Sequence, residues 1–135
     1  MDKFVITGGA KLRGRVEVDG AKNAALPILA ASILTEGPSR IDRVPTLRDV
    51  GSMFDLLRDL GVAVERASDG SVELEVKDAT AYTAPWETVK TMRASICVLG
   101  PLLARRGRAR VSYPGGCVIG ERPIDLFIEG FEKMG

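Results

Sequence analysis

A chain of 135 residues with 45% hydrophobic and 27% charged side chains is long enough for one packed domain and too apolar for disorder. Nineteen Lys and Arg against eighteen Asp and Glu leave a net charge of +1, so bulk charge gives no argument for a nucleic-acid or membrane partner. No histidine occurs, which excludes a His base, a His-based triad and every His-ligated metal site.

The two cysteines, Cys97 and Cys117, are too few for a disulfide framework or a four-thiolate zinc site. Free thiols fit a reducing compartment. The N-terminus, Met1-Asp2-Lys3-Phe4, has no basic-then-apolar run, so no signal peptide is expected and the location reads as cytoplasmic. The longest apolar stretch, Ala24 to Leu34, is too short for a bilayer and reads as a core helix. A compact fold of 14.5 kDa would expose roughly 6,900 Å².

Taken in order, residues 4–7 and 15–18 read as short strands, punctuated by Gly8-Gly9 and Gly14. Residues 22–35 are rich in Ala and Leu and predict a helix, with Pro27 in its early turns. Gly37-Pro38 ends it, and residues 39–44 predict a strand. Thr46 with Asp49 three positions later resembles a capping box, opening a helix to Leu60. Its apolar face is Val50, Met53, Phe54, Leu57 and Leu60. Gly61 fits the stop signal. Residues 62–66 and 72–76 predict a hairpin around Asp69-Gly70. A loop at 83–88 leads to a helix at about 89–104, a strand at 108–113, a loop to Glu121, and a last helix from Pro123 to Met134.

The chain repeats itself. Shifted by 70, Ala24, Leu29, Gly37 and Arg40 meet Ala94, Leu99, Gly107 and Arg110. Shifted by 74, Leu60-Gly61 becomes Met134-Gly135, and shifted by 56, residues 14–18 become 70–74. The pattern is a βαβαβ-type unit of roughly 70 residues used about twice, with the last copy ending on a helix. The chain is therefore expected to be part of something longer. Moving from 70 to 74 requires four extra residues in the second copy, where Pro114-Gly115-Gly116-Cys117 lies.

Cys117 sits on that glycine-rich loop, five residues before Arg122 at a helix start. A guanidinium and a helix N-terminus both favour a thiolate. The spacing leaves two readings open, a reactive thiol and a small apolar residue packed under the loop. Cys97, inside Ser95-Ile96-Cys97-Val98-Leu99, reads as inert core. Lys22 and Asn23 follow a glycine turn at a helix start, a place that can bind an anion or merely hold a solvated Lys beside an Asn cap. Arg93 takes the place of Asn23 in the second copy. The Arg105-Arg106-Gly107-Arg108 run lacks interleaved aromatics for base stacking and reads as a helix end bonding its own carbonyls. Gly8-Gly9-Ala10-Lys11 lacks the spacing of a nucleotide P-loop and reads as a turn.

With Lys22-Asn23, the run Lys90 to Ser95, Pro114 to Cys117 and the run Gly120 to Leu126 in this order, the sequence resembles the enolpyruvyl transferases. The likeness is to the N-terminal part of the bacterial cell-wall branch, over essentially the whole chain. The shikimate-pathway branch shares the fold but lacks this Cys loop. The resemblance implies an α/β (α+β) fold, an inside-out α/β barrel of repeated βαβαββ units around buried helices, present here as a partial domain. Residues 1–21 would be leading strands that pair with a missing second domain, and residues 22–135 an incomplete first domain of about two units. Partners would be phosphoenolpyruvate, UDP-N-acetylglucosamine and the remaining C-terminal part of the parent enzyme, with no nucleic acid, membrane, metal or cofactor.

The implied reaction moves the enolpyruvyl group of phosphoenolpyruvate to the sugar 3′-hydroxyl and releases phosphate. It is the first committed step of peptidoglycan synthesis, and so bears on cell-wall biogenesis, shape and division. By the same resemblance, Cys117 is the proton donor, forms a covalent adduct with phosphoenolpyruvate and is the fosfomycin target. Lys22, Asn23 and Arg122 meet phosphoenolpyruvate. Arg93, Arg122, Pro123, Ile124, Asp125 and Leu126 meet the nucleotide sugar. Phe127 stands where many family members have His, keeping a ring for stacking but losing a nitrogen. The family's Asp implicated in deprotonating the sugar lies in the second domain, so the isolated chain is expected to turn over little. Two other functions are weighed against this one: a shikimate-type transferase and a non-catalytic UDP-sugar-binding relative.

Overall fold

The computed structural model describes residues 3–115 and 123–135. Ten residues, Lys22–Ala31, form α1, which tightens into a 3-10 turn at Ser32–Leu34. Then come β1 (Ser39–Ile41), α2 (Arg48–Asp59), β2 (Val62–Arg66), β3 (Val72–Val76) and β4 (Thr83–Ala84). After these, α3 (Trp86–Val89), a 3-10 helix at Arg93–Val98, α4 (Leu99–Arg106), β5 (Arg110–Val111) and α5 (Asp125–Met134) complete the order.

The α2 face expected from the 3.6-residue period is the face that is buried. Val50, Met53, Phe54 and Leu57 pack inward, together with Leu56. Gly61 ends the helix at φ +78, where a Cβ would also overlap the Asp78 carbonyl. The hairpin lies where the alternating pattern put it, with Val64 opposite Leu74 and Arg66 opposite Val72. Its turn is closed by Gly70 N–H donating to Ala67 O at 3.1 Å. β1 adds to β3 antiparallel, giving the order β1-β3-β2. β4 and β5 pair in parallel across the helices between them, a βαβ crossover. Leu29, Ile33, Met53, Leu57, Val72, Leu74, Val89 and Leu102 join one core that runs through both copies of the repeat.

Several expectations fail for local reasons. Residues 4–7 and 15–18 form no strand, and Phe4, Val5, Ile6, Val16 and Val18 are all more than 80% exposed. A strand needs a partner for its backbone, and no described segment offers one. The surface is accordingly 9759 Å², well above the roughly 6,900 Å² of a compact chain this size. β1 stops at Ile41 rather than residue 44, because Arg43 turns the chain at φ +52.

The capping box does not form. Leu47 is the N-cap of α2 and receives no side-chain bond, while Asp49 is held by Lys22. The single helix expected at 89–104 is broken into three pieces. Met92 is extended at φ −148, and Pro101 cannot donate to the carbonyl four residues back, so the α-helix begins only at Leu99. The strand at 108–113 shrinks to Arg110–Val111, and the last helix begins at Asp125 rather than Pro123.

Candidate functional site

A cleft of about 440 Å³ lies where the start of α1 meets the 3-10 helix, walled by Lys22, Asn23, Asp49, Thr91, Arg93 and Cys97 among others. Its volume lies within the range of small-molecule ligand clefts. Lys22 and Asn23 are the first two residues of α1, whose N-cap is Ala21. Among the described residues no side chain caps that end, so Asn23 does not act as a cap, and Lys22 and Asn23 at the helix start both line the cleft. Arg93 is the first residue of the 3-10 helix, displaced into the cleft by the extended Met92 before it. The two residues matched by the 70-residue shift, Asn23 and Arg93, thus stand on one cleft.

Asp49 supplies the cleft's carboxylate. It reaches from the first turn of α2, where a negative charge is favoured. Its Oδ2 accepts from Lys22 Nζ at 2.7 Å, with both side chains about 40% exposed. Sequence reasoning assigned Asp49 to a cap and missed this pair. The signal available was that α1 and α2 both begin with polar residues at the same end of the fold. Cys97, expected as inert core, packs against the core cluster and also borders the cleft. It is only half-buried, and burial pushes its thiol above the ordinary cysteine value, so it stays protonated at neutral pH.

Cys117 and Arg122 lie outside the described residues. The root of their loop is described. Pro114 is buried, and Gly115 sits so close to Lys90 that a Cβ would overlap the Lys90 carbonyl oxygen. Lys90 in turn leads directly into Thr91-Met92-Arg93 on the cleft wall. Gly115, two positions before Cys117 in sequence, thus touches the segment that leads into Arg93. Pro123, Asp125 and Leu126 are exposed and Ile124 is buried, and none of the four is among the cleft's lining residues.

The remaining charged features have local partners. Arg105 pairs with Glu36 at 3.0 Å, and Arg108 stacks on Tyr82 at 4.0 Å. Arg106 donates to Leu60 O at 2.9 Å, so it caps the end of α2 rather than its own helix. A second, smaller depression on the sheet is lined by Glu65, Glu73, Glu75 and Lys77, a net negative surface. Among the described residues, no group of three or more His, Cys, Asp or Glu could hold a metal ion, and no helix is long and apolar enough to cross a membrane.

The sequence model for EPSP synthase (3-phosphoshikimate 1-carboxyvinyltransferase) matches residues 6–135, and the chain belongs to that family. Among its relatives, UDP-N-acetylglucosamine 1-carboxyvinyltransferase of Cellvibrio japonicus (strain Ueda107) is 55% identical over 135 residues, covering 100% of this chain and 32% of that protein. UDP-N-acetylglucosamine 1-carboxyvinyltransferase 2 of Carboxydothermus hydrogenoformans is likewise 55% identical with the same coverage. The chain spans about a third of the length of these curated relatives.

Solved structures agree on the fold. The enolpyruvyl transferase NikO from Streptomyces tendae matches with a TM-score of 0.62 at 24% identity, over 76% of this chain and 24% of that one. EPSP synthase from Acinetobacter baumannii matches with a TM-score of 0.65 at 17% identity, over 90% of this chain and 28% of that one. The mixed α/β architecture is thus that of part of an enolpyruvyl transferase domain.

Proposed function

We propose that this chain supplies part of the site of a cytoplasmic transferase that moves the enolpyruvyl group of phosphoenolpyruvate onto the 3′-hydroxyl of UDP-N-acetylglucosamine, the committing step of peptidoglycan synthesis. The observation that carries the reading is the cleft that gathers Lys22, Asn23 and Arg93 beside an uncapped helix start, in a chain 55% identical to proteins named for that transfer. A phosphate ester with a carboxylate is a small, multiply charged anion. Charge-assisted hydrogen bonds from an ammonium and a guanidinium are the strong kind, about 1.5–3 kcal/mol each. The α1 N-terminus adds roughly 0.3–1 kcal/mol.

The chemistry then follows as addition and elimination. The sugar 3′-oxygen gives its proton to a base, expected in the second domain, and bonds to C2 of phosphoenolpyruvate while C3 gains a proton, giving a tetrahedral ketal. Loss of phosphate from C2 and of a proton from C3 restores the double bond on the product. Cys117 is the group proposed to deliver the C3 proton. A substrate anion beside it disfavours the thiolate and keeps the proton on sulfur. Arg122 joins Lys22 and Asn23 on the donor, and Arg93 with Pro123, Ile124, Asp125 and Leu126 holds the nucleotide sugar.

Residues 1–21 are proposed to pair with a second domain. Their alternating, exposed Phe4, Ile6, Val16 and Val18 suit a strand awaiting a partner. Because the chain covers 32% of its relatives, the 135 residues alone are expected to release little phosphate.

Phosphate release from the full-length protein with both substrates tests the reading. Turnover is expected with UDP-N-acetylglucosamine and not with shikimate 3-phosphate, and it should be abolished in Cys117→Ala. Mass spectrometry after fosfomycin treatment should place one adduct on Cys117 and none on Cys97, whose thiol is held protonated by burial. Transfer to shikimate 3-phosphate, or an unmodified Cys117, would move the protein to the shikimate branch. Sugar binding without transfer would make it a binding relative.

A further inference from the structure

Resting on the phosphoenolpyruvate reading of the cleft, we propose that Asp49 is a positioning residue for the transfer, holding the Lys22 ammonium in the place from which it meets the donor's anionic end. The contact is a direct one, 2.7 Å between Nζ and Oδ2 across 27 residues of sequence. An ammonium has three donors, so a single bond to Asp49 leaves two for a ligand. The Lys stem carries four flexible carbons, and a partner anchored on a helix fixes where its head sits.

Packing does not need this pair. The same positions in the second copy, reached by shifts of 70 and 74, hold Met92 and Pro123, so the repeat forms without an ion pair there. Nor is Asp49 used as a cap, since the α2 N-terminus receives no side-chain bond. A carboxylate in an anion cleft also opposes anion binding, which a residue kept only for affinity would not do.

That opposition gives the proposal its signature. Removing the carboxylate raises the positive charge of the cleft, which favours the anion, and frees Lys22 to wander, which disfavours it. The two effects offset in the bound ground state. In the transition state the ammonium must also be aligned with the charge developing on the departing phosphate, and a misplacement of about 1 Å costs on the order of 100-fold in rate.

The experiment is steady-state kinetics of Asp49→Ala and Asp49→Asn in the full-length protein. In Asp49→Ala, kcat is expected to fall roughly 10- to 100-fold with the KM for phosphoenolpyruvate within about threefold of wild type. Asp49→Asn, which keeps an acceptor of the same shape, should fall between the two. A kcat within twofold of wild type in both variants, or a KM that rises while kcat holds, would overturn the role. A second arm needs no turnover. The Lys22 ammonium of the unliganded wild-type protein should give an ordered 15N signal that is lost in Asp49→Asn. Motion in wild type equal to that of Lys3 and Lys11 would overturn the role. Absence of transfer by wild type with an ordered Lys22 would instead sink the functional reading and leave the pair standing.

Discussion

The first and second copies of the repeat begin alike and finish differently. α2 and α5 occupy matching places under the 74-residue shift, which sets Met53 against Phe127, Phe54 against Ile128 and Leu57 against Phe131. In the first copy that face packs against α1 and β2, and Met53 and Leu57 are wholly buried. In the second copy, α5 has no fully buried residue, and Phe127 is 56% exposed. An amphipathic stripe therefore does not bury itself. What closes it is its neighbours, chiefly α1 and β2 of the hairpin that follows.

The copies also share a backbone crossing. The turn before the first helix meets the loop after its strand so tightly that one side must lack a Cβ. In the first copy the glycine is on the turn, with Gly20 against the Arg43 carbonyl. In the second it is on the loop, with Gly115 against the Lys90 carbonyl. The 70-residue shift carries Gly20 onto Lys90 and Pro45 onto Gly115, so it is one contact solved from opposite sides. Placing the glycine on the loop leaves the pre-helix position free for a long side chain, Lys90.

The largest test of this comparison is truncation of matched helix faces. Leu57→Ala should destabilise the protein by about 2–5 kcal/mol through lost burial and a cavity. In this 135-residue chain Phe127→Ala should cost no more than about 0.5 kcal/mol, as at other exposed sites. Urea denaturation of the two variants measures the gap, and equal losses would mean that α5 is covered as α2 is. A smaller effect is expected at the crossing. Gly115→Ala should lower the melting midpoint by several degrees, equivalent to about 1–3 kcal/mol, as the loop root is pushed off Lys90. Gly8→Ala, with open space around it, should leave the midpoint unchanged.

The smallest effect belongs to the hairpin that only the first copy has. Hydrogen bonds from the Ser71 hydroxyl and amide, and then the Arg40 guanidinium, hold the Asp69 carboxyl down at about 2. A depressed folded value means its contribution is complete above the unfolded value of about 3.8 and disappears as pH falls toward 2. Carbon-detected NMR titration should find that midpoint in wild type and a rise toward the ordinary range in Ser71→Ala. No rise would mean that the residue-71 amide and Arg40 set it without the hydroxyl.

Periodicity, turn residues and self-similarity were legible without coordinates. They placed α1, the buried face of α2, the hairpin with its Asp69-Gly70 turn and the pairing of Asn23 with Arg93, because each depends on spacings of a few residues or on a repeat. Partnership was not legible. Whether residues 4–7 become a strand, whether Asp49 turns back to its own helix or across to Lys22, where the 89–104 segment breaks, and whether Cys97 is core or cleft wall all depend on which group arrives first at a shared place. Local propensity is nearly neutral among those outcomes, and the tertiary contacts that choose between them join residues tens of positions apart.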